Sequence, residues 1–201
     1  MAATGTRDGV FINCPFDLAY RPIFDAIVFT VIACGLRARS ALEIVDSGEL
    51  RLTKITRLLK DCAFSIHDLS RVELDAESAL PRFNMPIELG IALGLKEYSR
   101  RPHTLLILDS ERFRYQKFAS DLAGLDISAH RNDPKIVISR VRNFLAPAVA
   151  TLPTGDILFN FYSQFESALP KMSAAAKQSL GELTFSDRAE HIASFIEAAR
   201  S

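Results

Sequence analysis

An open three-layer α/β sandwich on a five-stranded parallel sheet is the fold this chain predicts, and three observations predict it. Short apolar runs alternate with amphipathic segments from Val10 to Leu145. Strands that alternate with helices pair in parallel, because each crossover helix returns the chain to the same end of the sheet. Polar residues also gather where each apolar run stops, which is where ligands meet such sheets. With 201 residues, 48% of them hydrophobic, the chain can bury one sizeable core and carry an appendage.

The elements follow in order. Val10-Phe11-Ile12 reads as a first strand, and Tyr20 to Cys34 as a helix closed by Gly35, which takes a left-handed conformation at no steric cost. Leu36 to Leu42 is a second strand. Leu50 to Asp61 sets Leu50, Ile55, Leu58 and Leu59 at helical spacing, and Ala63 to Ile66 is a third strand. Met85 to Tyr98 is a helix opened by Pro86, which suits a first turn because its missing N–H has no partner there anyway. Thr104 to Leu108 is a fourth strand, and a basic aromatic loop (residues 112–118) leads to a fifth near Ile127 and a helix from Lys135 to Leu145. The whole reads as a flavodoxin-like sandwich over residues 1–150. Pro147, Pro153 and Gly155 then break the pattern, and residues 151–201 read as a helical extension, its last helix capped by Ser186 with Asp187 favouring the positive end. Its stripe of Ile157, Leu158, Phe161, Phe165 and Leu169 must pack on the main domain or on another subunit.

Composition excludes several functions. Lys plus Arg (24) balance Asp plus Glu (24), so no global field draws the chain to duplex nucleic acid or an anionic membrane. Three cysteines without a CxxC pair fit reduced core thiols, so Cys14, Cys34 and Cys62 read as core residues and the chain as cytoplasmic. The longest apolar run, Ile23 to Leu36, is too short to span a bilayer and is interrupted by Asp25. No GxGxxG follows the first strand and no GxxxxGK[ST] occurs, which removes the usual signatures of hydride transfer and ATP hydrolysis. His67 and Asp68 are adjacent on a strand and point to opposite faces, so they make a poor metal pair.

What remains is the polar rim. Strand one ends in Asn13-Cys14-Pro15-Phe16-Asp17, strand three at Asp68 and Ser70, strand four at Asp109. Glu88 lies three or four residues into a helix that is apolar nearly all round, on one face with Asn84, and the positive helix end favours its ionised form. A buried charge in such a helix needs a reason. An ionised carboxylate can attack an anomeric carbon or stabilise an oxocarbenium ion; the structural alternative is a glutamate that only complements the helix dipole. His130, alone at a strand end, can reach the same rim.

Asp68-Leu69-Ser70 followed by Asn84-x-x-x-Glu88-Leu89-Gly90 resembles the core motif of nucleoside 2-deoxyribosyltransferase-like proteins, and Val10 to Asp17 resembles the opening of bacterial TIR-like domains, a related group that cleaves the nicotinamide glycosidic bond of NAD. The resemblance covers about residues 8–146. It implies that Glu88 is the catalytic carboxylate, that Asn84 and Asp68 hold the ribose or orient the glutamate, and that Asn13, Phe16 and Asp17 line the pocket floor and base site. It further implies a homo-oligomer, an activating partner and a role like that of bacterial defence effectors. One departure carries weight. Pro81-Arg82-Phe83 stands where deoxyribosyltransferases carry an extra acidic residue, and an arginine there favours a phosphorylated substrate.

Ser70 and Asp109 complete the expected contacts, and Tyr115 in the basic loop either stacks on a base or pins the loop to the core; the loop's Arg112, Arg114 and Lys117, with Arg71 and Arg82, are set to bind phosphates. Leaving-group chemistry ranks the substrates: a neutral purine needs a proton as it departs, whereas nicotinamide leaves a cationic ring and needs none. NAD therefore comes first as substrate, and no cofactor or metal is expected. Two other readings stay open: a nucleoside deoxyribosyltransferase, and a module that binds a nucleotide signal without turning it over.

Overall fold

Every residue of β1 (Gly9–Asn13) is buried, and this strand sits inside a five-stranded, all-parallel sheet ordered β2-β1-β3-β4-β5. The computed structural model describes residues 8–43, 46, 48–72 and 83–200. Its other strands are β2 (Arg37–Ser40), β3 (Phe64–Asp68), β4 (Thr104–Asp109) and the two-residue β5 (Ser128–Ala129). The chain steps from β1 outward to β2, then crosses back over β1 to β3. Strand order thus reverses between β1 and β3, and the register sets Asn13 beside His67 at that point.

Side chains alternate across the sheet as the period of two requires. Val10, Ile12, Ile66 and Cys14 join the cluster under α1 (Arg21–Ala33) and α4 (Pro134–Leu145), while Phe11 faces α2 (Arg51–Asp61), against Ile55, Leu58 and Leu59. The helix following β3 is α3 (Asn84–Tyr98). Gly35 closes α1 with φ of +77°, its N–H bonded to the Ile32 carbonyl, as a left-handed cap requires. All three cysteines are buried free thiols. Among the described residues no helix is long and apolar enough to cross a membrane.

Several local expectations are corrected. Leu50 is the N-cap of α2 and stands 77% exposed, so the apolar stripe of that helix begins at Ile55. β2 stops at Ser40 because Arg39 pairs with Glu43, four residues on, and folds the chain into a short 3-10 turn. α3 is capped by Phe83 rather than by Asn84 or Met85, which moves Glu88 from the first turn to the second. Nor is α3 buried all round: it packs through Met85, Glu88, Leu89 and Ala92 and leaves Ile87 exposed. The final helix is α6 (Phe185–Arg200), and its cap is reciprocal: Thr184 Oγ1 accepts from the Asp187 N–H (3.2 Å) while Asp187 Oδ2 accepts from the Thr184 N–H (2.9 Å). Ser186 has no part in it.

The apolar stripe of α5 (Gly155–Ala175) packs on the main domain through Leu158, Phe161, Phe165 and Leu169, whereas Ile157, expected in it, is exposed. Phe165 is fully buried, and the Phe29 ring on α1 lies 5.8, 5.4 and 5.7 Å from those of Phe161, Tyr162 and Phe165. A side chain of this size contributes about 1.5–3 kcal/mol on burial. An ion network ties the same interface: Asp25 on α1 meets Arg21 (3.0 Å) and Arg188 of α6 (2.9 Å), and Arg188 also meets Glu166 of α5. Gly155 lets α5 start against α4, since a Cβ there would fall 2.3 Å from Ser139 Oγ and 3.2 Å from the Ser139 backbone.

Candidate active site

The carboxyl ends of β1, β3 and β4 bring Asn13, Asp68 and Asp109 together, each at most 2% exposed. Buried polar groups need partners. Asn13 Nδ2 donates to His67 Nδ1 (3.0 Å) and to the Met85 carbonyl (3.4 Å), which pins the start of α3 over the end of β1. The bond fixes a neutral His67 with its proton on Nε2, where it meets Ser65 Oγ at 2.9 Å. Ser65 in turn donates to His103 Nε2 (2.8 Å), and His103 Nδ1 donates to the Cys62 carbonyl (3.2 Å). The amide at one end can only donate and the carbonyl at the other only accept, so every bond in this chain runs one way. Burial holds His67 down at about 3, in keeping with a neutral ring. Asn13 is thus a brace as well as a rim residue.

Asp68 faces the α1–α4 side, opposite His67, as alternation on the strand requires. Its Oδ1 accepts from the Ser70 N–H at 2.7 Å, and His130 Nε2 approaches Oδ2 at 2.9 Å. The Asn132 N–H donates to His130 Nδ1 (3.0 Å), which leaves the ring proton on Nε2, toward the carboxylate. Burial pushes the Asp68 carboxyl up, yet His130 and Ser70 together outweigh it and hold the group below its ordinary value. Tyr20 packs edge-on to the His130 ring, 6.3 Å between centroids, and burial, then the Asp68 charge, raise its hydroxyl well above the usual range. Arg131 and Asn132 both have φ of +55°, a backbone that costs an arginine energy and that places the Asn132 N–H under the His130 ring.

Glu88 has a different setting. It is 4% exposed, and the cation paired with it among the described residues is Arg51 at the start of α2, 3.6 Å from Oε1. Burial pushes its carboxyl up to about 7, and Arg51 pulls it back only part of the way. The expected gain from the helix end is therefore outweighed by desolvation. Asn84, four residues before it, is exposed, so the shared face it was expected to form with Glu88 does not become a buried pair.

The remaining expected residues divide. Asp17 lies 3.4 Å from Arg71 and accepts from the Tyr20 N–H at 3.0 Å, and Phe16 is 39% exposed against Phe24 at the rim. Asp109 accepts from the Ser110 N–H (2.7 Å) and Arg114 Nε (2.8 Å); burial raises its carboxyl despite Arg114. Tyr115 is 4% exposed and belongs to the core, so it cannot stack on a base; Phe113, 54% exposed with φ of +63°, is the outward aromatic. Arg114 is not a phosphate ligand in waiting, because it bridges Asp109 and the Leu69 carbonyl (2.7 Å). Arg82 lies outside the described residues.

Tyr20, Arg51 and the orienting loop after His130 are rim residues that sequence spacing did not single out. Two consecutive non-glycine residues in left-handed conformation leave no composition signal, but His130-Arg131-Asn132-Asp133-Pro134 does end in an Asp-Pro helix start, and Asp133 caps α4 through the Lys135 N–H (2.8 Å). Among the described residues, Asn13 Oδ1, Ser70 Oγ and Asp109 Oδ2 are buried at this rim without a hydrogen-bond partner, while Asp68 Oδ2, His130 Nε2 and Tyr20 Oη are gathered on one another. Such a concentration of donors and acceptors suits a polyhydroxylated ligand. Among the described residues no group of three or more His, Cys, Asp or Glu is placed to hold a metal ion. No protein-family model matches the chain, and neither does any curated protein.

Proposed function

We propose that this rim cleaves the N-glycosidic bond of a nucleotide, NAD first, with Glu88 as the carboxylate at the sugar carbon. The observation that supports the reading is a buried, weakly paired carboxyl on the helix that follows β3, at the end of the sheet where strand order reverses and where Asn13 Oδ1, Ser70 Oγ and Asp109 Oδ2 are buried without a hydrogen-bond partner. The rim supplies contacts for ribose hydroxyls, from Asp68, Ser70 and Asn13. The C1′–N bond breaks with its electron pair passing to the pyridinium nitrogen, and neutral nicotinamide leaves. Glu88 in its ionised form stabilises the oxocarbenium carbon or bonds to it, and water then supplies hydroxyl to C1′ with its proton passing to the solvent. A cationic nicotinamide ring beside Glu88 lowers its carboxyl from about 7 and so favours the form that reacts.

The same value supports a second reading. Near neutrality a share of Glu88 is protonated, and a protonated carboxyl can serve a neutral purine as it leaves, the chemistry of a deoxyribosyltransferase. The engagement of Arg114 inside the rim also leaves fewer cations for a phosphate, with Arg51, Arg112 and Lys117 remaining. Incubating the protein with NAD, NADP and a panel of nucleosides, with and without a free acceptor base, separates the readings by the base released and the sugar product formed. Glu88→Gln is expected to reduce release by roughly 10²–10⁴-fold. Tight nucleotide binding with no release from wild type, alone or as an assembled oligomer, would instead mark a signal-binding module.

A further inference from the structure

A broad cleft lies at the other end of the sheet from Glu88. This cleft of about 930 Å³ opens between the ends of α2 and α3, beside the starts of β3 and β4. Its size falls within the range of small-molecule sites, about 300–1,000 Å³. Leu59, Ala63, Leu95 and Pro102 give it an apolar lining; Lys60, Arg100 and Arg101 face it against a single carboxylate, Asp61. Tyr98 stands at its edge, 87% exposed.

The plain account of these cations is that they complement the negative ends of two helices. It covers Lys60 in the last turn of α2 and Lys96 in the last turn of α3. It does not cover Arg100 and Arg101. Both follow Ser99, whose N–H already closes α3 on the Leu95 carbonyl (2.9 Å), and neither guanidinium has an ion pair or hydrogen bond among the described residues. An exposed aromatic ring beside two free guanidinium groups and an apolar floor is an arrangement for a planar group that carries a phosphate. The back wall is rigid, because both ring nitrogens of His103 are engaged by Ser65 and the Cys62 carbonyl.

We propose that this cleft is a second ligand site, taking a planar aromatic molecule with a phosphate monoester, its ring on Tyr98 and the apolar floor and its phosphate on Arg100 and Arg101. The site is independent of the chemistry assigned to Glu88.

A sugar-free probe keeps the two sites apart. Titrating the full-length chain with 1-naphthyl phosphate, followed by calorimetry and by the NMR signals of the His103 ring, is expected to give one site and a shift of that ring. The pair Arg100→Ala with Arg101→Ala is expected to weaken binding at least about tenfold, as the loss of a charged hydrogen bond implies. Gly94→Leu is expected to abolish it: Gly94 lines the cleft, and a Cβ there has no heavy atom within 4 Å, so a side chain fills the space without straining the helix. Glu88→Gln is expected to bind as wild type does. Absence of binding to wild type overturns the proposal, as does affinity unmoved by Gly94→Leu in a protein with an unchanged circular dichroism spectrum. Should that variant not fold, affinity unmoved in the arginine pair overturns it equally.

Discussion

Asp68 and Glu88 are both buried carboxylates at one end of one sheet, yet their environments drive them in opposite directions. Asp68 receives the Ser70 N–H and the His130 ring and is held below its ordinary value, whereas Glu88 has a half-exposed arginine at 3.6 Å and is pushed up to about 7. Burial alone does not decide the charge of a carboxyl. The number of donors aimed at it does, and this separates a residue built to stay ionised from one built to change state.

The contrast can be broken hardest at Asp68. Asp68→Ala leaves His130 and the Ser70 N–H buried without their acceptor and is expected to cost about 1–3 kcal/mol of stability for each orphaned donor, read from urea midpoints at pH 7. A loss below 1 kcal/mol would mean that the carboxylate holds nothing together. Glu88→Gln is expected to act with the opposite sign. The folded state binds the Glu88 proton more tightly than the unfolded state, so stability is fully present below about 4.5 and is lost as pH rises to about 7. Removing that charge is therefore expected to stabilise the protein at pH 8 by about 2–3 kcal/mol while leaving it unchanged at pH 4. Equal melting temperatures for wild type and Glu88→Gln across that interval would refute the strained glutamate. Asp68 has the reverse dependence, its contribution present above the unfolded value and lost as pH falls through the lower folded one. The smallest effect belongs to Arg51→Ala: with the arginine side chain itself 52% exposed, the pair is worth about 0–1 kcal/mol, seen as a small further rise in the Glu88 titration by carboxyl NMR.

How far the sequence carries depends on the distance over which a feature is decided. β1, β3 and β4, the Gly35 cap and the entry of α3 near Pro86 follow from short windows, where alternation and backbone preference act directly. The positions of Asp68, Asp109 and Glu88 at one rim follow from those elements and the rule for parallel sheets. What the sequence hid was set by contacts across the fold. His130 meets Asp68 from 62 residues away, since β5 brings it to the same edge, and Tyr20 joins them from the start of α1. The Glu88 titration was misjudged for the same reason: a helix end is local, but desolvation depends on everything packed above it. Arg114 looked like a surface phosphate ligand and Tyr115 stood open between stacking and pinning the loop; the left-handed turn at Phe113 folds both inward.

The clamp of Asp25, Arg21, Arg188 and Glu166 bears on where this polypeptide can be cut. Asp25 sits on the helix that begins just after the rim loop, and its carboxyl, lifted by burial to about 6, is pulled back by Arg188 from the last helix and by Arg21. Cleavage in the stretch around Pro153 with release of the distal fragment bares Phe24 and Phe29 and leaves Asp25 with Arg21 alone. Limited proteolysis is expected to find no stable amino-terminal remnant of some 150 residues, so that the sandwich and its final two helices are kept or lost as one unit.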